Sequence, residues 1–333
     1  FSAEPHRLLS AVLEGEVCLD EVPRGGTPRH GSAGRGRVRF AEDGALGDVE
    51  LEERVRLASG GWHAEGARAR FVTAEATALL QGDPSRPGSR AHLTGDGSEV
   101  WADEVRLDDR RGVLVALGDV QGSSRDLRLL RGGEGEPVRF ACARFEGSDN
   151  GDVMELRRNA RVWQGARLLL AETIRANRSE RWMEAEGGVR LTAPGQDGTG
   201  EVLVVARTMR YDEANGIAVF EGAVRLSEPT AILTAATLEV RVGEGGELAG
   251  FEARHGVVVE DLREGRRLRG DTARYDADAS TLVVEGSPAT LVDPRGNVVS
   301  GSSLTWNRAG GTVAVAGGEG SPTETIYHPE EGG

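Results

Sequence analysis

Paired carboxylates are the first residues in this chain whose types suit chemistry. Asp108–Asp109 and Glu52–Glu53 supply the groups that general acid–base cleavage of a glycan requires. Neighbouring residues of a β-strand point to opposite faces, and both pairs lie in strand-like sequence. A solvated surface role is therefore favoured for them, and a polysaccharide-cleaving β-helix enzyme stands as the main catalytic alternative.

Metal and cofactor motifs are absent from the sequence. The stretch Asp276–Ser280 resembles the start of a calcium loop, but it lacks glycine at the sixth position and glutamate at the twelfth. The six histidines never occur four residues apart or beside a cysteine, as zinc sites require; they are His6, His30, His63, His92, His255 and His328. We predict a protein that is not an enzyme and that needs no metal or cofactor.

Arginine supplies all 40 basic residues, against 54 acidic ones, for a net charge of -14. This acidity argues against nucleic acid as a partner, because phosphate backbones bind basic surfaces. Six arginines nevertheless recur at one position of the repeat described next, where they would attract phosphates or, interleaved with glutamate, form a solubilising surface. They are Arg70, Arg106, Arg144, Arg175, Arg210 and Arg274.

An internal repeat is the strongest pattern in the sequence. Nine anchor residues span 266 positions in eight steps, or about 33 residues a step. In six copies a small residue lies five positions before the anchor and a glycine eleven positions after it. A unit of this size cannot bury its own apolar face, so the units must stack. The anchors are Phe40, Phe71, Leu107, Phe145, Ala176, Tyr211, Val240, Tyr275 and Trp306.

Around each anchor, apolar and polar residues alternate with the period of a half-buried strand. A second apolar position lies seven residues before the anchor, as at Val204 and Leu233, and its parity is opposite. One straight strand cannot present both positions on one face, so we predict a bulge or sharp bend between them. Turn-like segments such as Asp212–Gly216 then lead to a second strand. The predicted fold is all-β: an elongated β-solenoid or rolled β-jellyroll of two-strand repeats.

The repeats divide the chain into three parts. Residues 1–165 carry looser repeats with loop-like insertions at Gly25–Gly36, Gly82–Gly97 and Gly132–Pro137, and residues 166–317 carry regular ones. Because the anchors continue through residue 165 at the same spacing, one continuous stack is favoured. Residues 318–333, rich in glycine, glutamate and proline, are predicted to be a disordered tail.

The regular repeats resemble the OstA-like family of periplasmic lipopolysaccharide-transport proteins, which includes LptA, LptC and the amino-terminal domain of LptD. The likeness is carried by Gly270–Asp276, Leu282–Gly286, Val299–Trp306 and the unit from Ala206 to Gly222. It implies a rolled sheet whose interior shelters the acyl chains of lipid A. It also implies a location in the periplasm of a Gram-negative bacterium and end-to-end strand stacking with LptC-, LptA- or LptD-type partners or with a second copy. The length fits a fusion of LptC-like and LptA-like halves.

The inward-facing positions of the repeats are the candidate lipid groove. Periodicity alone favours a filled core at these positions, as a structural or adhesive repeat protein would have, whereas the resemblance favours a groove. Small residues among the large ones would leave unfilled volume. The candidates are Phe71, Val105, Leu107, Phe145, Ile174, Met209, Tyr211, Phe220, Leu238, Tyr275, Val284, Leu304, Trp306 and Val315.

Two further features bear on location and oxidation state. No run of about 18 apolar residues occurs, so no transmembrane helix is predicted, and a start at Phe1 suggests that a signal peptide or membrane anchor was removed upstream. Cys18 and Cys142 lie nearly four repeats apart. We therefore predict that they form no intramolecular disulfide, because their Cα atoms would be too distant.

Overall fold

The protein is all-β in the computed structural model, which confirms the predicted fold class. The structure describes residues 8–21, 28–41, 46–59, 61–86, 88–95, 97–129, 131, 135–148, 151–195, 200–318 and 322–326. These residues form 22 strands and no α-helix, and none of them belongs to a helix that could cross a membrane. The strands pair antiparallel with their neighbours, as stacked two-strand repeats require.

The first ten strands are β1 (Ser10–Glu21), β2 (Arg29–Phe40), β3 (Leu46–Ser59), β4 (Trp62–Val72), β5 (Thr77–Gln81), β6 (Ala91–Gly95), β7 (Ser98–Ala102), β8 (Glu104–Asp108), β9 (Val113–Ser124) and β10 (Val138–Ser148). The other twelve are β11 (Val153–Gln164), β12 (Arg167–Asn177), β13 (Trp182–Pro194), β14 (Glu201–Asp212), β15 (Ile217–Glu228), β16 (Ala231–Val242), β17 (Leu248–Asp261), β18 (Arg266–Asp276), β19 (Thr281–Val292), β20 (Val298–Asn307), β21 (Thr312–Ala316) and β22 (Glu324–Ile326).

The chain forms two compact units. The first contains Phe1–Leu127, Pro137–Ala160 and Arg175–Ser179, and the second contains Arg128–Glu136, Arg161–Ile174 and Glu180–Gly333. In the second unit, strands β13 to β20 form an uninterrupted antiparallel meander. Its regularity follows from the regular spacing of the repeats in this part of the sequence.

Loops interrupt the repeats of the first unit without breaking their pairing. β4 pairs with β5 near its end and with β6 near its start, so β5 and β6 are two halves of one repeat strand. The interruption between them, Gly82–Arg90, falls inside a predicted insertion. The Gly25–Gly36 segment differs from its prediction as a loop, because Arg29 already begins β2; residues 22–27 lie outside the described part. Glycine there is tolerated because β2 is paired on both sides, with β1 and β3.

A bulge interrupts every strand pair from β13/β14 to β19/β20, which confirms the predicted change of parity. In β14 and β15 the register shifts between Val205 and Thr208. Strands β13, β15 and β17 each bend through two consecutive residues with positive φ, such as Gly222 (83°) and Ala223 (53°) in β15. A Cβ atom at Gly222 would lie 2.7 Å from the Cβ of Arg207. In β15 the glycine eleven residues after the Tyr211 anchor therefore lets the strand bend, and Gly187 has the same place and a positive φ in β13.

The bulges divide each bent strand of the second unit into two arms with three inward-facing rows of paired residues. The first-arm row lies on one side of the bulges and consists of Leu191, Val204, Leu226, Leu233, Val259, Leu268, Leu291 and Val299. The bend row lies on the other side, next to the bulges, and consists of Ala185, Met209, Phe220, Leu238, Ala253, Ala273, Val284 and Leu304. The anchor row lies two residues beyond the bend row, farther from the bulges, and consists of Met183, Tyr211, Ala218, Val240, Phe251, Tyr275, Leu282 and Trp306.

Most of the predicted tail lies outside the described residues. Within it, Glu324–Ile326 form the short strand β22, which pairs with Val298–Ser300 of β20. The first half of β20 offers this free edge because β21 covers only the second half, Ser303–Asn307. A segment whose composition favours disorder thus pairs where an exposed strand edge supplies backbone partners.

The two cysteine thiols should differ sharply in reactivity. Cys18 is exposed on β1, whereas Cys142 is buried on β10, and both are free. Burial raises the pKa of the Cys142 thiol to about 12, so almost no thiolate forms near neutral pH. We expect Ellman's reagent at about pH 8 to modify one thiol per native chain, and the second only after unfolding. In a Cys18→Ser control no fast thiol should remain; two fast thiols in the parent protein would contradict this placement.

Candidate functional site: an apolar cavity in the second unit

A cavity of about 360 Å³ lies between the two arms of the second unit. The first-arm row and the anchor row both contribute to its walls, and of the bend row only Phe220 reaches it. The bend row is almost completely buried, with each residue at most 2 % exposed. The bulges therefore close one side of the interior with tightly packed side chains and leave space between the arms farther from the bend.

The cavity lining is predominantly apolar. The first-arm row contributes Leu191, Val204, Leu226, Leu233 and Val259, and the anchor row contributes Ala218, Val240, Phe251, Tyr275, Leu282 and Trp306. Four of the lining residues are charged: Arg167, Glu228, Glu247 and Arg308. Their formal charges cancel, so the lining carries no net charge. Such a space suits hydrocarbon, with charged groups restricted to few positions.

Two of the charged residues connect the arms across the cavity. Arg308, which follows β20, forms an ion pair with Glu228 at the end of β15, although the two are 80 residues apart. The Arg308 guanidinium lies 5.4 Å from the ring centre of Tyr275 and 5.6 Å from that of Trp306. Arg167 donates a longer hydrogen bond, 3.4 Å, from its Nη2 to the carbonyl of Gly246. These contacts fix the separation of the arms.

Only some of the fourteen predicted groove residues line the cavity. Phe220, Tyr275 and Trp306 line the cavity. Six others of the second unit are buried outside its lining, and Val315 is half-buried on β21; the six are Ile174, Met209, Tyr211, Leu238, Val284 and Leu304. The remaining four belong to the first unit, where Val105 and Phe145 are buried and Phe71 and Leu107 are half-buried.

Tyr211 shows why an anchor aromatic can lie outside the cavity. Its hydroxyl accepts a hydrogen bond of 3.0 Å from the backbone N–H of Arg131, whose side chain donates to the carbonyl of Glu213. Burial raises the pKa of the Tyr211 phenol, so the group is neutral at physiological pH. Its polar end is thus occupied by the loop before β10, and the ring serves as packing.

Sequence reasoning missed the first-arm row as part of the site. The apolar residues seven positions before the anchor, Val204 and Leu233 among them, carried the signal, because they mark a second inward-facing set. That pattern predicts the bend, but it does not show which inward-facing row is close-packed and which row lines the cavity.

The carboxylate pairs do not form an acid–base site. Asp109 forms an ion pair with Arg29, while an Asp108 oxygen accepts the Arg111 backbone N–H at 3.1 Å. Glu52 and Glu53 lie near two different arginines, at 3.7 and 3.8 Å. Within the described ranges, no three histidine, cysteine or acidic residues cluster as metal ligands would.

The calcium-like segment is a turn between strands. An Asp276 oxygen accepts the backbone N–H of Ala279 at 2.9 Å, and β19 begins directly afterwards at Thr281. The equivalent turn after β14 has the same geometry, with Asp212 accepting the Asn215 N–H at 3.0 Å. Hydrogen bonds from Asn215 lower the pKa of Asp212, as expected for a carboxylate that caps a turn.

The stretch that builds most of this cavity matches a known family. Residues 203–312 match the family model described as LptA/(LptD N-terminal domain) LPS transport protein. Residues 203–312 are a domain of this family. The LptA/LptD N-terminal domain thus includes β15 to β20, and the cavity walls outside it come from Arg167, the end of β13 and Val202.

Comparison with solved structures and curated sequences adds little beyond the domain match. A solved structure that matches is LptH from Pseudomonas aeruginosa, described as the LptA homologous periplasmic component of the conserved lipopolysaccharide transport device. It is 17% identical, with a TM-score of 0.35, over 38% of this chain and 95% of the LptH chain. No curated protein sequence matches this chain.

Proposed function

We propose that this protein is a non-enzymatic carrier that binds lipopolysaccharide through the acyl chains of lipid A on its way to the outer membrane. One observation carries the proposal: the apolar cavity lies largely within residues 203–312, the stretch that belongs to the LptA/LptD N-terminal family. Each methylene group moved from water into such a lining contributes about 0.8 kcal/mol. Burial of an acyl chain of ordinary length thereby supplies enough free energy for stable binding.

The cavity size constrains how a lipid with several chains would bind. Its 360 Å³ lies near the lower end of the range for small-molecule sites. A lipid A molecule would therefore place only part of its hydrocarbon in this cavity, and further acyl chains require the two arms to separate. Such a separation would break the ion pair between Arg308 and Glu228 and the hydrogen bond from Arg167 to Gly246.

The rival functions receive less support from the structure. An enzyme of the β-helix type needs a carboxylate cluster on one exposed face, and the candidate carboxylates pair individually with arginines or cap turns. A purely structural or adhesive repeat protein needs a filled interior, whereas the space between the arms of the second unit is open.

Location and partners form part of the same proposal. A periplasmic protein that passes lipid onward would contact LptC-, LptA- or LptD-type neighbours or a second copy by end-to-end strand pairing. The edge strand β1 supports this, because among the described residues it pairs only with β2. It also exposes Val12, and the adjoining Leu8 and Leu9 are more than 60 % exposed. An edge strand with exposed apolar side chains is suited to pairing with another chain.

Direct lipid binding tests the proposal. We expect lipid A to copurify with the native protein, as seen by mass spectrometry, and purified lipid A to bind the delipidated protein. The matched control is lipopolysaccharide from which all acyl chains have been removed, which should not bind because the headgroup alone buries no hydrocarbon. Equal binding of the two, or binding of neither, would contradict the proposal.

A further inference from the structure

Arg308 lines the cavity and is held across it by an acidic side chain, Glu228. Its Nη2 donates to a carboxylate oxygen of Glu228 and, at 3.1 Å, to the hydroxyl of Thr230. The side chains of Arg308 and Glu228 are only 23 % and 21 % exposed. The pair therefore lies partly desolvated at the edge of an apolar space, where charge interactions are stronger than in water.

Arg266 can be compared with Arg308, because its guanidinium lies 5.8 Å from the ring centre of the same Trp306. Unlike Arg308, which is paired with the lining residue Glu228, it is hydrogen-bonded to groups outside the cavity lining. It is paired with Asp261, which is 2 % exposed and also accepts two backbone N–H groups. The second Arg266 terminus donates to the carbonyl of Gly311 at 2.9 Å. Arg266 is thus a structural residue, while the partner of Arg308 is a less buried glutamate that itself lines the cavity.

Trp306 supplies a second, independent observation at the same place. It lines the cavity and is 5 % exposed, yet its indole Nε1 is buried with no hydrogen-bond acceptor among the described residues. A buried donor without a partner is costly, and most such donors in proteins are paired. An acceptor oxygen brought in by a ligand beside Arg308 would give this donor a partner.

We propose that Arg308 is the specificity-determining residue of the cavity and binds an oxyanion of the ligand, which replaces Glu228. This inference rests on the proposed function and assigns the ligand class: an amphiphile that carries a phosphate or similar oxyanion next to its acyl chain. The hydrocarbon lies against the first-arm and anchor rows, and the oxyanion lies against Arg308 above the rings of Tyr275 and Trp306.

The chemistry of the guanidinium group supports this exchange. Arginine presents a planar fork of N–H donors that matches the oxygens of a phosphate, and the face of the group stacks on aromatic rings. Glu228 occupies part of that fork and neutralises the charge of Arg308. A bound oxyanion would take over the same donors, and the released Glu228 side chain would turn to solvent, where its charge is hydrated.

Two ligands of equal chain length separate charge recognition from chain binding. The assay is displacement of the neutral fluorophore N-phenyl-1-naphthylamine from the full chain by n-decyl phosphate or n-decanol. We expect Arg308→Gln to weaken n-decyl phosphate about tenfold. Glu228→Gln, which frees the guanidinium, should tighten n-decyl phosphate several-fold. Both variants should leave n-decanol within about twofold of the parent protein.

Controls distinguish this inference from the proposed function. Arg210→Gln and Glu184→Gln alter an exposed ion pair of 3.0 Å that lies outside the cavity lining. Neither variant should change the affinity for n-decyl phosphate or for n-decanol. If Arg308→Gln and Glu228→Gln change the affinities for n-decyl phosphate and n-decanol alike, Arg308 only connects the two arms and the inference is overturned. If the parent protein binds neither ligand, the proposed function itself is overturned. If Arg308→Gln fails to fold, Glu228→Gln alone tests the inference. Only oxyanion recognition predicts that this variant binds n-decyl phosphate more tightly without a matching change for n-decanol.

Discussion

Leu226→Glu should leave the protein folded and remove acyl-chain binding, whereas Met209→Glu should unfold the second unit. Leu226 is half-buried in the first-arm row and lines the cavity between Val204 and Leu233. A carboxylate there can stay hydrated while the cavity is empty, but it would meet hydrocarbon once a chain enters. We expect ligand affinity to fall about 10- to 100-fold with little loss of stability.

Met209 lies in the bend row, paired with Ala185 and Phe220, and is 2 % exposed. Sequence reasoning placed it in the groove, where a charge would be tolerated in the empty protein. The structure places it outside the cavity lining, in close-packed surroundings that offer no water to a carboxylate. Met209→Glu should therefore cost about 4 kcal/mol or more of the free energy of unfolding.

The measurement pairs thermal unfolding, followed by circular dichroism, with fluorophore displacement by n-decanol. Val219→Glu is the matched control, because Val219 lies on the same sheet between Arg210 and Glu239 with its side chain on the opposite face from Ala218 and Phe220. It should change neither property appreciably. If Met209→Glu folds but no longer binds n-decanol, the ligand lies at the bend. If Leu226→Glu binds n-decanol normally, the first arm is not part of the binding site.

Asp261→Ala should be among the most destabilising substitutions in the second unit. One Asp261 oxygen accepts the backbone N–H groups of Arg263 and Glu264, at 3.0 and 3.3 Å. The other accepts Nε and Nη2 of Arg266, at 3.2 and 2.7 Å. Because the carboxylate is 2 % exposed, its removal leaves several donors and the mostly buried charge of Arg266 without a partner.

Breaking a buried pair from one side typically costs about 3–5 kcal/mol, and we expect a loss of this size for Asp261→Ala. The midpoint of urea unfolding measures it. Glu184→Ala is the control, since it removes the acidic partner of the exposed Arg210 and should cost less than about 1 kcal/mol. Equal costs for the two variants would show that the Asp261 pair contributes no more than a surface ion pair.

The amino-acid sequence by itself determined the repeat, the strand class and the bend. Period-two alternation around anchors such as Tyr275 fixes a half-buried strand, because successive side chains of a strand point to opposite faces. The change of parity between Val204 and Met209 requires a bulge, and the structure has one between Val205 and Thr208. Turns such as Asp212–Gly216 follow from local chemistry, since aspartate and asparagine side chains bond the nearby backbone.

Only the tertiary structure decided which of the inward residues border open space. Met209, Val204 and Val240 all face inward, but Met209 packs at the bend while the other two reach the cavity. The distance from the bend decides this, because the two arms of a strand are closest at the bulge and diverge from it. Local alternation contains no measure of that separation.

The pairing of charges across the cavity was likewise beyond the sequence. Arg308 and Glu228 lie 80 residues apart, and nothing in the spacing of the repeats couples them. They meet because bending returns the second arm toward the first, so that the turn after β20 reaches the end of β15. Contacts within a strand pair follow from register, which the repeat dictates, whereas contacts between arms depend on how far every bulge rotates its strand, and only the folded chain fixes that angle.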